Sequence, residues 1–286
     1  MSATSLTWGG RSIPGPGGLP AVAVSLTGPS LAQARTQARS AVDAGADVLE
    51  LRVDLLEESG ALTGSAPMDA AAVAGAAAAQ VLECLRRMAD VVDVTPLLLT
   101  CRTAAEGGRA RLDDSGYGAL LCSVLDELAG WEPGRRPSAI DVEVQRGCLP
   151  QVSEQAHGLG IDVVASFHDF KTTPADDVLE DVLSRMASEG ADLAKIAVWP
   201  TGADDVARLL GVCARAAAAP GKGTGLGLPV AAMSMGALGA VSRVAPVFGS
   251  ALTFAVVPDE QGETQASAPG QLPIQDVRRC LELLRA

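Results

Sequence analysis

At 286 residues the chain is long enough to bury one large α/β domain, and a hydrophobic share of 48% with a mean hydropathy of +0.25 excludes global disorder. The formal net charge of −12 and a pI near 4.6 exclude nucleic acid and anionic membranes as natural partners, so a small anionic substrate would need arginines gathered locally. The six cysteines are scattered without a C-x-x-C pair and read as reduced thiols, and no apolar segment is uniform enough to span a bilayer; the expectation is a soluble cytoplasmic protein without disulfides or a zinc site.

Residues 1–20, with Gly9-Gly10 and the Pro/Gly cluster from Ile13 to Pro20, read as a leader that forms a hairpin or cap. A single domain is expected over 21–286, in which short apolar strands alternate with longer helical stretches. The strands fall near 21–26, 47–53, 97–102, 139–145, 161–167, 192–198, 228–234 and 251–257. Helices are expected near 29–44, 67–90, 113–130, 149–158, 175–189, 203–217, 236–244 and 272–285. Strand–helix units in that number predict a (β/α)8 TIM barrel, with an open doubly wound sheet as the alternative. The Ala-rich run 69–79 fits an outer helix. Gly221 to Gly227 resembles a nucleotide loop superficially, but it matches neither the Walker pattern nor G-x-G-x-x-G and precedes a strand, so it reads as a connection.

Catalytic groups of a barrel come from the C-terminal ends of its strands. The second strand carries Glu50, Arg52 and Asp54 at a spacing of two, which places them on one face. The third ends in Thr100-Cys-Arg102, followed by Glu106 and a pair of glycines that allow a turn back over the strand mouths. The fifth ends at His168, a better acid–base candidate than the other histidine, His157, which sits at a helix end before Gly158.

Lys195, one of only three lysines, interrupts the apolar run Ala191–Trp199. Burying a lone ammonium is costly, and a neutral amine at the end of a core strand is what imine chemistry needs. A packed stem with its head on a carboxylate would read the same in sequence. Met233 and Met235 share a face of the seventh strand, where core filling is the plainer reading. Arg243 follows in a short turn or helix, and the polar loop 258–271 has the composition of a lid.

In this order the blocks Leu49–Asp54, Thr100–Gly108, Ser166–Phe170, Lys195–Val198, Met233–Met235 with Ser242-Arg243, Phe248–Ser250 and Gln265–Gln271 resemble type I 3-dehydroquinate dehydratase, and the match runs from the block Val24–Gly28 to Gln271, nearly the whole chain after its leader. The resemblance implies a (β/α)8 barrel, a homodimer, 3-dehydroquinate as the small-molecule substrate and chemistry without a metal or organic cofactor. It implies that Lys195 forms an imine with the substrate's C3 ketone, that His168 moves the protons, and that Glu106 holds the imidazole. Arg243, Ser267 and Gln271 would take the carboxylate. Ser25, Glu50, Arg52, Arg102, Met233 and Met235 would complete the binding site, with the arginines expected to disfavour protonation of Lys195. A class I aldolase shares such a lysine but has no need of the Ser267–Gln271 lid motif, and a non-catalytic sensor of shikimate-type acids has no need of every catalytic position.

Overall fold

The computed structural model describes residues 5–63, 70–91, 95–218, 225–258 and 264–285. Lys222 and most of the glycine-rich connection around it, the first residues of the expected helix 67–90, and positions 259–263 of the lid loop lie outside the described residues.

A short antiparallel hairpin, β1 (Leu6–Trp8) and β2 (Arg11–Ile13), precedes the barrel. Eight parallel strands follow: β3 (Ala21–Leu26), β4 (Val48–Arg52), β5 (Leu97–Thr100), β6 (Ala139–Glu143), β7 (Asp162–Asp169), β8 (Leu193–Val198), β9 (Val230–Ser234) and β10 (Leu252–Val256). They pair in sequence order, with β10 beside β3. A bridge between Val230 and Ser250, with Ala251 N donating to Val230 O at 2.7 Å, joins β9 to the start of β10. Above that bridge the edge of β10 is taken by a two-residue strand, β11 (Leu272–Pro273).

The helices α1 (Leu31–Asp43), α2 (Ala70–Met88), α3 (Asp114–Leu128), α4 (Leu149–Gly158), α5 (Asp176–Ser188), α6 (Ala203–Ala216) and α7 (Ile274–Leu283) form the outer layer. Their starts carry expected signals: Ser30 and Gln33 make a capping box on α1, and Asp113 accepts from Gly116 N at 2.7 Å on α3. The helix expected over 236–244 is absent. Two 3-10 turns, Ala240–Arg243 and Pro246–Phe248, stand there instead. Gly236 takes a φ of +71°, and a Cβ on Gly239 would fall 2.3 Å from Ser234 O, so the chain folds tightly back on the end of β9 before a helix could start.

Strand alternation sorts the core into two. One face of each strand, including Val24, Leu49, Leu99, Val142, Ala165 and Ile196, packs against the helices. The other faces the lumen, whose lower layer is apolar: Val48, Leu98, Ala139, Val164, Leu193, Ala231 and Leu252, joined from below by Trp8 and Ile13 of the hairpin. Trp8 Nε1 donates to Asp162 Oδ2 at 2.7 Å, which fastens the hairpin to the strand starts. Two residues further along, or about 6.7 Å, the lumen positions become Glu50, Thr100, Asp141, Ser166 and Lys195. The barrel is thus a packed apolar base carrying a charged upper layer. Among the described residues no helix is long and apolar enough to cross a membrane.

Candidate active site

Lys195 on β8 is buried, with 4% exposure. Its Nζ donates to Glu50 Oε1 at 3.3 Å and Asp141 Oδ2 at 3.4 Å, and lies 4.4 Å from the centre of the Phe254 ring. Arg52 and Arg102, two of the arginines expected to crowd the amine, are turned toward carboxylates of their own, and the ionic contacts of Nζ are with Glu50 and Asp141. Arg52 makes a two-pronged pair with Asp54, both bonds at 2.8 Å. Asp54 lies beyond the end of β4 on a 3-10 turn, and it also accepts the backbone N–H groups of Arg102 and Arg109 at 3.1 Å. Arg102 donates to Asp141 Oδ1 at 2.8 Å, Ser166 Oγ at 2.9 Å and Glu143 Oε1 at 3.1 Å.

Burial pushes the Glu50 carboxyl up, but Lys195, Arg52, the Ser25 hydroxyl and Arg102 outweigh it and hold the group at about 2. Glu50 Oε1 accepts from Thr100 Oγ1 at 3.0 Å, and Oε2 accepts from Ser25 Oγ. Ser25 in turn accepts from Ser267 Oγ at 2.9 Å, and Ser267 Oγ from Gln271 Nε2 at 3.0 Å. A hydrogen-bonded line therefore runs from Gln271 through Ser267, Ser25 and Glu50 to the lysine.

His168 stands on the neighbouring strand, opposite Ala197 and one lumen position above Lys195, which is opposite Ser166. Small Ala197 leaves the space between amine and imidazole open. His168 Nδ1 lies 2.9 Å from Glu106 Oε2, and Glu106 Oε1 has no partner among the described residues. Glu106 reaches this point because the chain after Arg102 turns back on itself: Gly108 N donates to Thr103 O at 2.8 Å, and Gly107 takes a left-handed φ of +83°. Burial dominates both shifts, lowering His168 well below its ordinary value and raising Glu106 to about 8.

Arg243, at the end of the turn that replaced a helix, is 2% exposed. Its Nη2 donates to Pro269 O at 3.2 Å, its Nε has no partner, and no carboxylate lies within 4.0 Å among the described residues. Burial alone lowers it to about 10. A buried guanidinium without an anion is a place for one.

Glu50, Arg52, Arg102, Glu106, His168, Lys195, Met233, Arg243, Ser267 and Gln271 share the lining of one cavity over the strand ends. Ser25 stands behind Glu50. Met235 is fully buried but does not line the cavity, so of the two methionines only Met233 faces it. His157 is elsewhere, paired with Asp192 at 2.8 Å. The sequence reading passed over Asp141, Glu143 and Phe254. Asp141 and Glu143 repeat on β6 the spacing of two that singled out Glu50 and Arg52 on β4, and that signal was available.

The family described as Type I 3-dehydroquinase matches residues 22–286. The chain belongs to this family. It is 35% identical over 268 residues to the 3-dehydroquinate dehydratase of Klebsiella pneumoniae subsp. pneumoniae, covering 92% of each chain. The crystal structure of 3-dehydroquinate dehydratase from Geobacillus kaustophilus superposes with a TM-score of 0.81 at 27% identity, over 99% of this chain and 97% of that one. A structure of the type I enzyme from Clostridium difficile with covalently modified comenic acid superposes at 0.80 with 28% identity, over 99% of both chains. The barrel fold is thus shared with solved type I dehydroquinases.

Proposed function

We propose that the chain removes water from 3-dehydroquinate to give 3-dehydroshikimate through an imine at Lys195. The observation that carries this reading is the position of Lys195 Nζ, fixed between Glu50 and Asp141 one lumen step beneath the His168–Glu106 pair. The amine attacks the C3 ketone and a water leaves. The imine then draws electrons from C2, whose proton is within the reach of an imidazole set above it. His168 takes that proton and returns it to the departing C1 hydroxyl, so a second water leaves from the same face and the C1–C2 double bond forms. Hydrolysis of the imine consumes one water and frees product and lysine.

Glu106 orients the imidazole. Arg243 receives the carboxylate, with Ser267 and Gln271 beside it. Glu50 and Arg52 offer an acceptor and donors for the ring hydroxyls, Arg102 orders the acids around Lys195, and Ser25 links Glu50 to the lid. Met233 forms part of the wall. A cytoplasmic homodimer completes the reading. The scattered free cysteines suit a reducing compartment, and light scattering of the purified protein tests the dimer.

Borohydride added during turnover should inactivate the protein and leave the ligand attached to Lys195, because a reduced imine cannot hydrolyse. Product is followed by the absorbance of its conjugated enone. Peptide mapping that places the label on the exposed Lys171, or full activity in Lys195→Met, sinks the mechanism.

A further inference from the structure

Phe170 lies one residue beyond β7, at the rim of the site, and is 38% exposed. Its ring stacks with the His168 imidazole, centroids 6.5 Å apart and planes at 19°. It also rests on the backbone of Gly107, the residue after Glu106: a Cβ there would fall 2.3 Å from Cε2 and 2.4 Å from Cζ of the ring. The turn that carries the ring is fixed by Asp169 Oδ1, which accepts from the backbone N–H groups of Lys171 and Thr172 at 2.8 and 3.0 Å. One ring thus touches both arms of a pair whose members are 62 residues apart.

We propose that Phe170 is a positioning residue for the Glu106–His168 pair, its ring holding the two arms together and keeping water from their rim side. The proposal rests on the roles given to Glu106 and His168. The charged groups facing the pair come from other elements: Arg52 of β4, Arg102 after β5, Asp141 and Glu143 of β6, Arg146 after β6, and Lys195 of β8. Phe170 adds no charge to them. Its contribution is exclusion of water, which makes the anionic, deprotonated form of the pair harder to reach. Opening the rim should therefore let the pair lose its shared proton at lower pH.

The two histidines make the test clean, since nitrogen NMR of the imidazoles contains only His157 and His168. In Phe170→Ala the pH at which the His168 nitrogens report loss of the pair's shared proton should fall by about one pH unit, while the His157 resonances, from a ring paired with Asp192 away from the site, serve as the reference. The acid limb of kcat/KM should move with it. Phe170→Leu, which keeps an apolar cover over Gly107, should retain the midpoint of the unaltered protein. An unmoved His168 midpoint in Phe170→Ala, or a Leu variant displaced as far as the Ala variant, overturns the proposal. A shifted imidazole titration with an unshifted rate limb supports the action of Phe170 and overturns the base role of His168 instead.

Discussion

Lys195 Nζ and Asp141 Oδ2 face each other at 3.4 Å, and the other oxygen of the same carboxylate accepts from Arg102 at 2.8 Å. Asp141 therefore fixes the amine relative to the arginine cluster. Asp141→Asn keeps the shape and loses the charge. It should lower turnover by about 100-fold, the equivalent of one charge-assisted hydrogen bond. Stability should fall by about 3 kcal/mol, because Arg102 is left short of a buried partner. Denaturant titration and the enone assay read the two separately. Unchanged turnover with unchanged stability would show that Lys195 needs only Glu50.

The Glu106–His168 pair sets an expected pH profile. Burial raises Glu106 to about 8 and lowers His168, so near neutrality the pair retains one proton that blocks general-base action. Activity should rise with pH through a limb near 8. Glu106→Gln removes the carboxylate, so the limb should move below the ordinary histidine range while the plateau rate drops. Stability follows the sign of the shift: a carboxyl raised from 4.5 to about 8 stabilises the fold fully below 4.5 and loses that contribution as pH rises through 8. Glu106→Gln should accordingly be the more stable protein at pH 9. Melting curves across this range decide it.

Arg243 should separate stability from activity. Its guanidinium is buried, its Nε has no partner, and no carboxylate balances it among the described residues. Arg243→Met should gain about 1–3 kcal/mol of stability by removing an unsatisfied buried group, and lose about 100-fold in kcat/KM by removing the anion's partner. A variant that is less stable and equally active contradicts the assignment.

The packing of segment 264–271 over the mouth depends on Gly270. With the segment 264–271 packed over the mouth, the cavity is about 40 Å³, against roughly 300 Å³ or more for a small-molecule pocket, and the segment is expected to open when a ring enters. Gly270 has a φ of +83°, and a Cβ on it would lie 2.3 Å from Gly236 O. Gly270→Ala should prevent the closed packing, raise KM and increase hydrogen exchange across 264–271. Equal protection in the two proteins would remove the segment from the catalytic cycle.

Much of this site was legible because strand alternation is local. Glu50, Arg52, His168 and Lys195 are charged or titratable residues in apolar runs at strand ends, and a barrel converts that position directly into proximity. Asp141 carries the same signature on the strand expected near 139–145, in the register of Glu50 and Lys195. The segment 236–244 departs from its expected helix: its apolar and small residues fit a helix, whereas the close approach of Gly239 to Ser234 is tertiary. Phe170 enters the sequence reading only as the end of the block Ser166–Phe170, since the role proposed for it comes from a contact with Gly107 that only the fold creates.

The hairpin at the other end of the barrel has a bearing on traffic. Trp8 and Ile13 stopper the lumen from below and above them lies a solid apolar layer, so among the described residues the charged chamber opens at the strand-end mouth and not through the base. Substrate and product must use it in turn. Under the proposed chemistry, imine formation and elimination each release a water inside, and imine hydrolysis takes one back. The chamber is therefore self-supplied with the reagent of its last step, and the mouth can stay shut until product is free to leave.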